Sequence, residues 1–195
     1  MNTAMPDANT STDDTLTAWA AALIDAGWAR QSIEKPPAHL AGIRILTDPD
    51  GHVQALAEAH HTGDIVVELR STALRDDNRL VWYVIAGWLD APVVAAAARA
   101  AGDEATGQAA GDLLINGGWR LQRYEAFTTT FSEYQWASGD DACWAVFTTP
   151  DSDPDGEGGD GGWTLAHPRP DGNRQTITAS ARTPAALIAA LALAG

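Results

Sequence analysis

The stretches Leu23-Ile24-Asp25-Ala26-Gly27-Trp28 and Leu114-Ile115-Asn116-Gly117-Gly118-Trp119 decide how this chain is read, because they are nearly one phrase written twice. In each, a Leu-Ile pair runs into glycine and then tryptophan. Glycine adopts the left-handed conformation cheaply and ends a helix. The indole that follows is placed to drop into the core as the chain turns away. Upstream of the first copy, Leu16, Trp19, Ala20, Leu23 and Ile24 share one helical face, and Asp13 and Asp14 suit a helix start. Upstream of the second, a helix is expected over 103–116.

Three further pairs follow in the same order. Thr47-Asp48-Pro49-Asp50 resembles Thr148-Thr149-Pro150-Asp151, and Asp76-Asp77-Asn78-Arg79 resembles Asp171-Gly172-Asn173-Arg174. Pro92 and its alanine-rich helix, 92–101, match Pro184 and the helix that closes the chain, where Thr183 is expected as the cap. Between the anchors the period becomes that of strands. Strands are expected at 43–46, 52–58, 65–69 and 80–89 in the first half, the last read as a central strand covered on both faces. In the second half they are expected at 120–127, 129–137, 143–149, 163–167 and 175–181. The fold expected is α+β: two tandem helix–antiparallel sheet–helix units related by internal duplication, packed as one pseudo-symmetric domain. The first unit covers 13–101, the second 103–195, and residues 1–12 read as a disordered tail.

Gly118-Trp119, Thr149-Pro150-Asp151, Trp163 and Thr183-Pro184, with Gly27-Trp28 and Asp48-Pro49-Asp50 in the first half, carry a resemblance. A helix ending Leu-x-x-Gly-Trp, a Ser/Thr-Pro-Asp turn, a Trp-led strand and a Thr-Pro-started helix resemble a domain of unknown function. That family is common in filamentous high-GC bacteria and often occurs in tandem copies. The second half matches it better, since Asp90-Ala91-Pro92 stands where the family has Thr-Pro. The resemblance implies the fold and assigns no activity.

The 12 basic and 26 acidic residues give a net charge of −14, which disfavours unspecific binding to phosphate backbones and anionic membranes. Eight tryptophans supply ample core material. Cys143 is the single cysteine and reads as a buried strand thiol, so neither a disulfide nor a cysteine metal cluster is expected. With no signal-peptide pattern and no apolar run near the ~20 residues of a membrane helix, the expected location is cytoplasmic.

Candidate chemistry is sparse. Asp151, Asp153 and Asp155 place carboxylates at alternate positions as a calcium loop does. The match fails at its twelfth position, where Gly162 replaces the bidentate glutamate. Gly156, Gly158 and Gly161 spell a dinucleotide fingerprint, but a strand follows where a helix is required, and Glu157 and Asp160 repel phosphate. Glu58, His60, His61 and Asp64 form a polar cluster, yet adjacent histidines on a strand point apart. No nucleophile elbow, Walker loop or H-E-x-x-H occurs. No cofactor is expected. Tyr124, Phe127, Phe131, Tyr134 and Trp136 cluster in a segment that has no counterpart in the first half, and Tyr134 and Trp136 share a strand face by alternation. Exposed rings on a sheet anchor protein partners or stack bases.

Three functions are therefore weighed. The leading one is a non-enzymatic protein-interaction or regulatory module, resting on the aromatic segment, the acidic surface and the absent catalytic motifs. The second is a single-stranded nucleic-acid binder, which would need Arg120, Arg123, Arg169 and Arg174 gathered on one face. The third is an enzyme with a site between the two units.

Overall fold

The computed structural model describes residues 11–31, 42–59, 64–102, 109–126, 132–149, 161–169 and 172–194. The first half runs α1 (Thr12–Asp25), β1 (Ala29–Arg30), β2 (Arg44–Thr47), β3 (Val53–Ala59), β4 (Ile65–Ser71), β5 (Tyr83–Ala86) and α2 (Ala91–Gly102). The second runs α3 (Ala110–Asn116), β6 (Arg120–Ala126), β7 (Ser132–Ala137), β8 (Trp144–Thr148), β9 (Gly162–Pro168), β10 (Arg174–Ser180) and α4 (Ala185–Leu193). Among the described residues each half thus carries a helix, five strands and a helix.

The strands form one ten-stranded antiparallel sheet in the order β1-β2-β3-β4-β5-β10-β9-β8-β7-β6. The order runs inward to β5, crosses to β10, and runs outward in reverse. At the crossing, Ile85 stands opposite Thr178, flanked by Val84 opposite Ala179 and Ala86 opposite Ile177. Side chains alternate between faces along each strand. One face holds Leu46, Ala55, Leu69 and Val84 from β2 to β5 and Ala145, Leu165 and Ile177 from β8 to β10, all buried. The helices pack on this face: α1 on β2 and β3, α2 on β3, α4 on β9 and α3 on β6, with α2 and α3 both against α4. A single hydrophobic cluster runs through both halves.

Local chemistry recurs between the halves. Gly27 (φ +92°) and Gly118 (φ +89°) turn the chain off α1 and α3. At each site the tryptophan amide reaches back to a leucine carbonyl, Trp28 to Leu23 and Trp119 to Leu114, both at 3.0 Å. The β2–β3 turn is closed by the Asp48 amide on the Val53 carbonyl, and the Val53 amide returns to the Asp48 carboxylate. In the β7–β8 turn Ser138 and Cys143 make the same two bonds, a serine hydroxyl replacing the carboxylate. Each turn has its left-handed residue in the same place, Gly51 (φ +77°) and Asp141 (φ +58°). Ahead of β5 the Arg75 amide bonds the Arg79 carbonyl, and ahead of β10 the Arg169 amide bonds the Asn173 carbonyl.

Several expectations change. The hydrogen bonds of the turn after β2 are those of Ser138 and Cys143, and Pro150 and Asp151, expected to match it, lie outside the described residues. The Asp76 anchor aligns one residue differently: Asn78 (φ +63°) takes the place of Gly172 (φ +83°). The run 80–89 condenses to a four-residue β5, central but covered on one face only, with Tyr83 and Ile85 open to solvent. An antiparallel sheet carrying its helices on one side leaves the other wet, whatever the local hydropathy. Residues 103–108 lie outside the described residues, and α3 begins at Ala110. Thr183 does not cap α4. Its hydroxyl bonds the Tyr83 carbonyl at 3.2 Å, and Pro184 occupies the cap position. β1 was not foreseen. The tail at 1–10 lies outside the described residues.

Candidate functional site

Strands β6 to β9 carry a row of rings on the helix side. Tyr124, Tyr134, Phe147 and Trp163 stand opposite one another across the four strands. Their centroids lie 4.8, 6.5 and 4.6 Å apart in that order. These are distances at which tilted rings attract beyond their area burial. Trp136 joins from the next row and stacks on Tyr134 at 5.8 Å and on Trp163 at 5.5 Å. The row grades from core to solvent. Trp163 is buried, Phe147 and Tyr134 are half-buried, and Tyr124 is 54% exposed.

Of the five aromatic candidates, Tyr124, Tyr134 and Trp136 are thus brought together. Phe127 and Phe131 lie outside the described residues, as do Asp151, Asp153 and Asp155, His60 and His61. Trp136 is only 6% exposed and belongs to the core cluster. A Cβ added at Gly111 of α3 would lie 2.7 Å from its indole, so the helix sits directly on the ring. The expectation that Trp136 offers an open contact gives way to one in which it supports Tyr134 from beneath.

β6 forms one end of the sheet, and one of its backbone edges pairs with β7 while the other faces away from the described strands. Its pairing slips between Leu121 and Arg123, leaving a bulge at Gln122. The slip resets the alternation. Leu121, opposite Trp136, and Tyr124, opposite Tyr134, both fall on the helix side, and Leu121 is 49% exposed. Arg123 and Glu125 fall on the open side, opposite Gln135 and Glu133. β1, at the other end of the sheet, has two residues.

The arginines here are already answered by carboxylates. Arg120 pairs with Asp141 at 2.6 Å, and Gln122 donates to the same carboxylate at 2.8 Å. Arg123 bonds Glu125, and that hydrogen bond, with the nearby Glu125 and Glu133 charges, raises its pKa. Asp140 is held below the usual carboxylate value, chiefly by the Ser138 hydroxyl and then by the Ala142 amide.

Two other groups bear on chemistry. Cys143 is buried, and burial first, with Asp140 second, pushes its thiol up, away from a reactive thiolate. His167, 6% exposed on β9, has no hydrogen bond at either ring nitrogen, and burial lowers its pKa. Among the described residues no group of three or more His, Cys, Asp or Glu is placed to hold a metal ion. Two open surface depressions, one lined by Arg75, Asp76, Asp77 and Arg182 and the other by Tyr83, Thr148, Gly161 to Thr164, Thr178 and Ala179, contain neither histidine nor cysteine. No helix among the described residues is long and apolar enough to cross a membrane.

Sequence reasoning missed Phe147, Trp163 and Leu121 as members of this surface. Alternation within β8 separates Phe147 from Trp144, but only the register across strands shows that Phe147 meets Tyr134. Leu121 is brought round by the bulge, for which a single sequence carries no signal. Comparison with family models, curated proteins and solved structures finds no match to this chain.

Proposed function

We propose that this chain is a non-enzymatic protein-interaction module that receives its partner along β6 and the adjoining rings. One observation carries the reading: Tyr124, more than half exposed, ends a ring row rooted in the core and lies on a seven-residue terminal strand. A rigid aromatic anchor held by its neighbours loses little conformational freedom on binding. A strand edge offers main-chain donors and acceptors to an extended partner. A protein partner fits better than single-stranded nucleic acid, because Arg120 and Arg123 are each neutralised by a carboxylate. The buried, upshifted Cys143 fits poorly with nucleophilic chemistry.

The same proposal includes an origin by internal duplication, with the two units, 13–101 and 103–195, related by a pseudo-two-fold axis at the β5–β10 pair. The palindromic strand order, the two Gly-Trp helix exits and the two matched turns support it. In that account the second unit is the one that acquired a recognition edge.

The test is affinity capture from native lysate with tagged wild type and Tyr124→Ala, with and without nuclease. A nuclease-resistant protein retained by wild type and lost with Tyr124→Ala is the expected result. Retention of nuclease-sensitive material alone would favour the nucleic-acid reading, and equal retention by both proteins would remove Tyr124 from the account.

A further inference from the structure

We propose that the partner at this edge is a second copy of the chain, pairing β6 antiparallel with β6 so that two ten-stranded sheets continue as one. The inference rests on the reading of β6 as the recognition edge. A two-fold axis perpendicular to the sheet keeps every side chain on its own face, so residues that meet across the axis must share a face. That condition excludes registers that set the two faces against each other.

Centring the axis on Arg123 sets Arg123 against its own copy and Leu121, on the helix side, against Glu125, on the open side. Centring it on Glu125 sets two glutamates together. Centring it on Tyr124 sets Tyr124 against Tyr124 on the helix side and Arg123 against Glu125, twice, on the open side. Of these three registers only the last matches both faces and charges. The β6 bulge is what rules out the Arg123-centred register, since without the slip at Gln122 Leu121 and Glu125 would share a face.

The same register extends two features already present. The ring row Trp163, Phe147, Tyr134, Tyr124 would run through the axis into its own image. On the open face Glu125 stands directly opposite Glu133 of β7, with Arg123 the guanidinium close to both. Like charges directly opposite are unfavourable on a sheet. The second copy's Arg123 arrives opposite Glu125 from the other side and adds a second guanidinium beside the two carboxylates. Among the described residues β1 presents an edge of two residues. A short strand edge buries less than a standard interface, so the dimer is expected to be weak and concentration-dependent.

Sedimentation or light scattering across a concentration series tests this directly. Wild type is expected to show a monomer–dimer equilibrium. Arg123→Glu and Glu125→Arg each set like charges opposite one another at two places, and each is expected to weaken dimerisation at least about tenfold. The two changes together restore the opposite pairing and are expected to restore the dimer. Circular dichroism confirms that each variant is folded. A second measurement uses Tyr124→Cys: cross-strand neighbours with Cβ atoms about 4.5–5.5 Å apart lie close to disulfide range. Oxidation is expected to link two copies there, and not in Arg120→Cys. A wild type monomeric at every concentration, single swaps that leave the dimer intact, or a double swap that stays monomeric would overturn the proposal. If wild type is monomeric while capture of a different protein still depends on Tyr124, self-pairing falls and the interaction reading stands. Loss of both would remove that reading too.

Discussion

Two rows of side chains cross the helix side of the sheet, one in each half. In the first half the row is Arg44, Ala57, Val67 and Ala86, crossing β2 to β5. In the second it is Tyr134, Phe147, Trp163 and Ala179, crossing β7 to β10. Beside the first row α1 and α2 both reach β3, and Arg44 is tied to Asp13 at the start of α1 at 2.5 Å. The large row fills the same depth with rings. The neighbouring position changes in step, Leu46 answering to Trp136 and Ala20 of α1 to Gly111 of α3. A common strand plan thus tolerates two fillings, and only the aromatic one reaches the terminal strand.

The comparison is broken most forcefully at its centre. Trp136→Ala is expected to cost about 3–5 kcal/mol in unfolding free energy, and Leu46→Ala about 2–5 kcal/mol, both read from denaturant unfolding. A near-neutral Trp136→Ala would mean that the ring row is not rooted in the core. Gly111→Ala is expected to cost about 1–3 kcal/mol through overpacking against the indole. Adding Trp136→Leu rebuilds the Ala20 and Leu46 pairing and should recover part of that loss. Strict additivity in the double-mutant cycle would show that the two positions do not compensate each other.

Smaller effects sharpen the match between the halves. Gly27→Ala and Gly118→Ala force alanine into positive φ and should each cost about 1–2 kcal/mol. A large effect at one and none at the other would speak against equivalent helix exits.

The next effect appears only in acid. β4 ends at Ser71, whose hydroxyl accepts from the Ala73 amide, whereas the matching end of β9 carries His167 without a partner. Because burial lowers the folded-state pKa of His167 below 6.5, the unfolded chain binds the proton more readily. Its contribution is therefore fully present above pH 6.5 and declines as pH falls through the lower folded-state value. Melting curves of wild type should drop in that window, and those of His167→Leu should not follow. Tyr124→Ala, finally, should change stability by no more than about 0.5 kcal/mol, as a surface substitution does.

Much of the framework was legible because similar short motifs occur in both halves of the sequence. Gly27-Trp28 and Gly118-Trp119 announced both helix exits, and alternation located nine of the ten strands. What remained hidden depends on partners distant in sequence. The turn register differs because Thr-Pro-Asp composition recurs after β8, while the bonds of Asp48 are made again by Ser138, a different residue. The one-sided burial of β5 follows from where the helices lie, which its apolar run does not encode. At the candidate site the rings Tyr124, Tyr134 and Trp136 were visible as a cluster. Which of them is buried was not, because Trp136 is decided by α3 and Gly111.

The central claim is that recognition resides at the aromatic edge of the second half and not at the first. Capture from native lysate with nuclease, comparing wild type, Tyr124→Ala on β6 and Arg30→Ala on β1, tests it most directly. The account predicts that a protein partner, a second copy of the chain included, is retained by wild type and Arg30→Ala and lost with Tyr124→Ala. Equal loss in both variants, or retention in Tyr124→Ala, would contradict it.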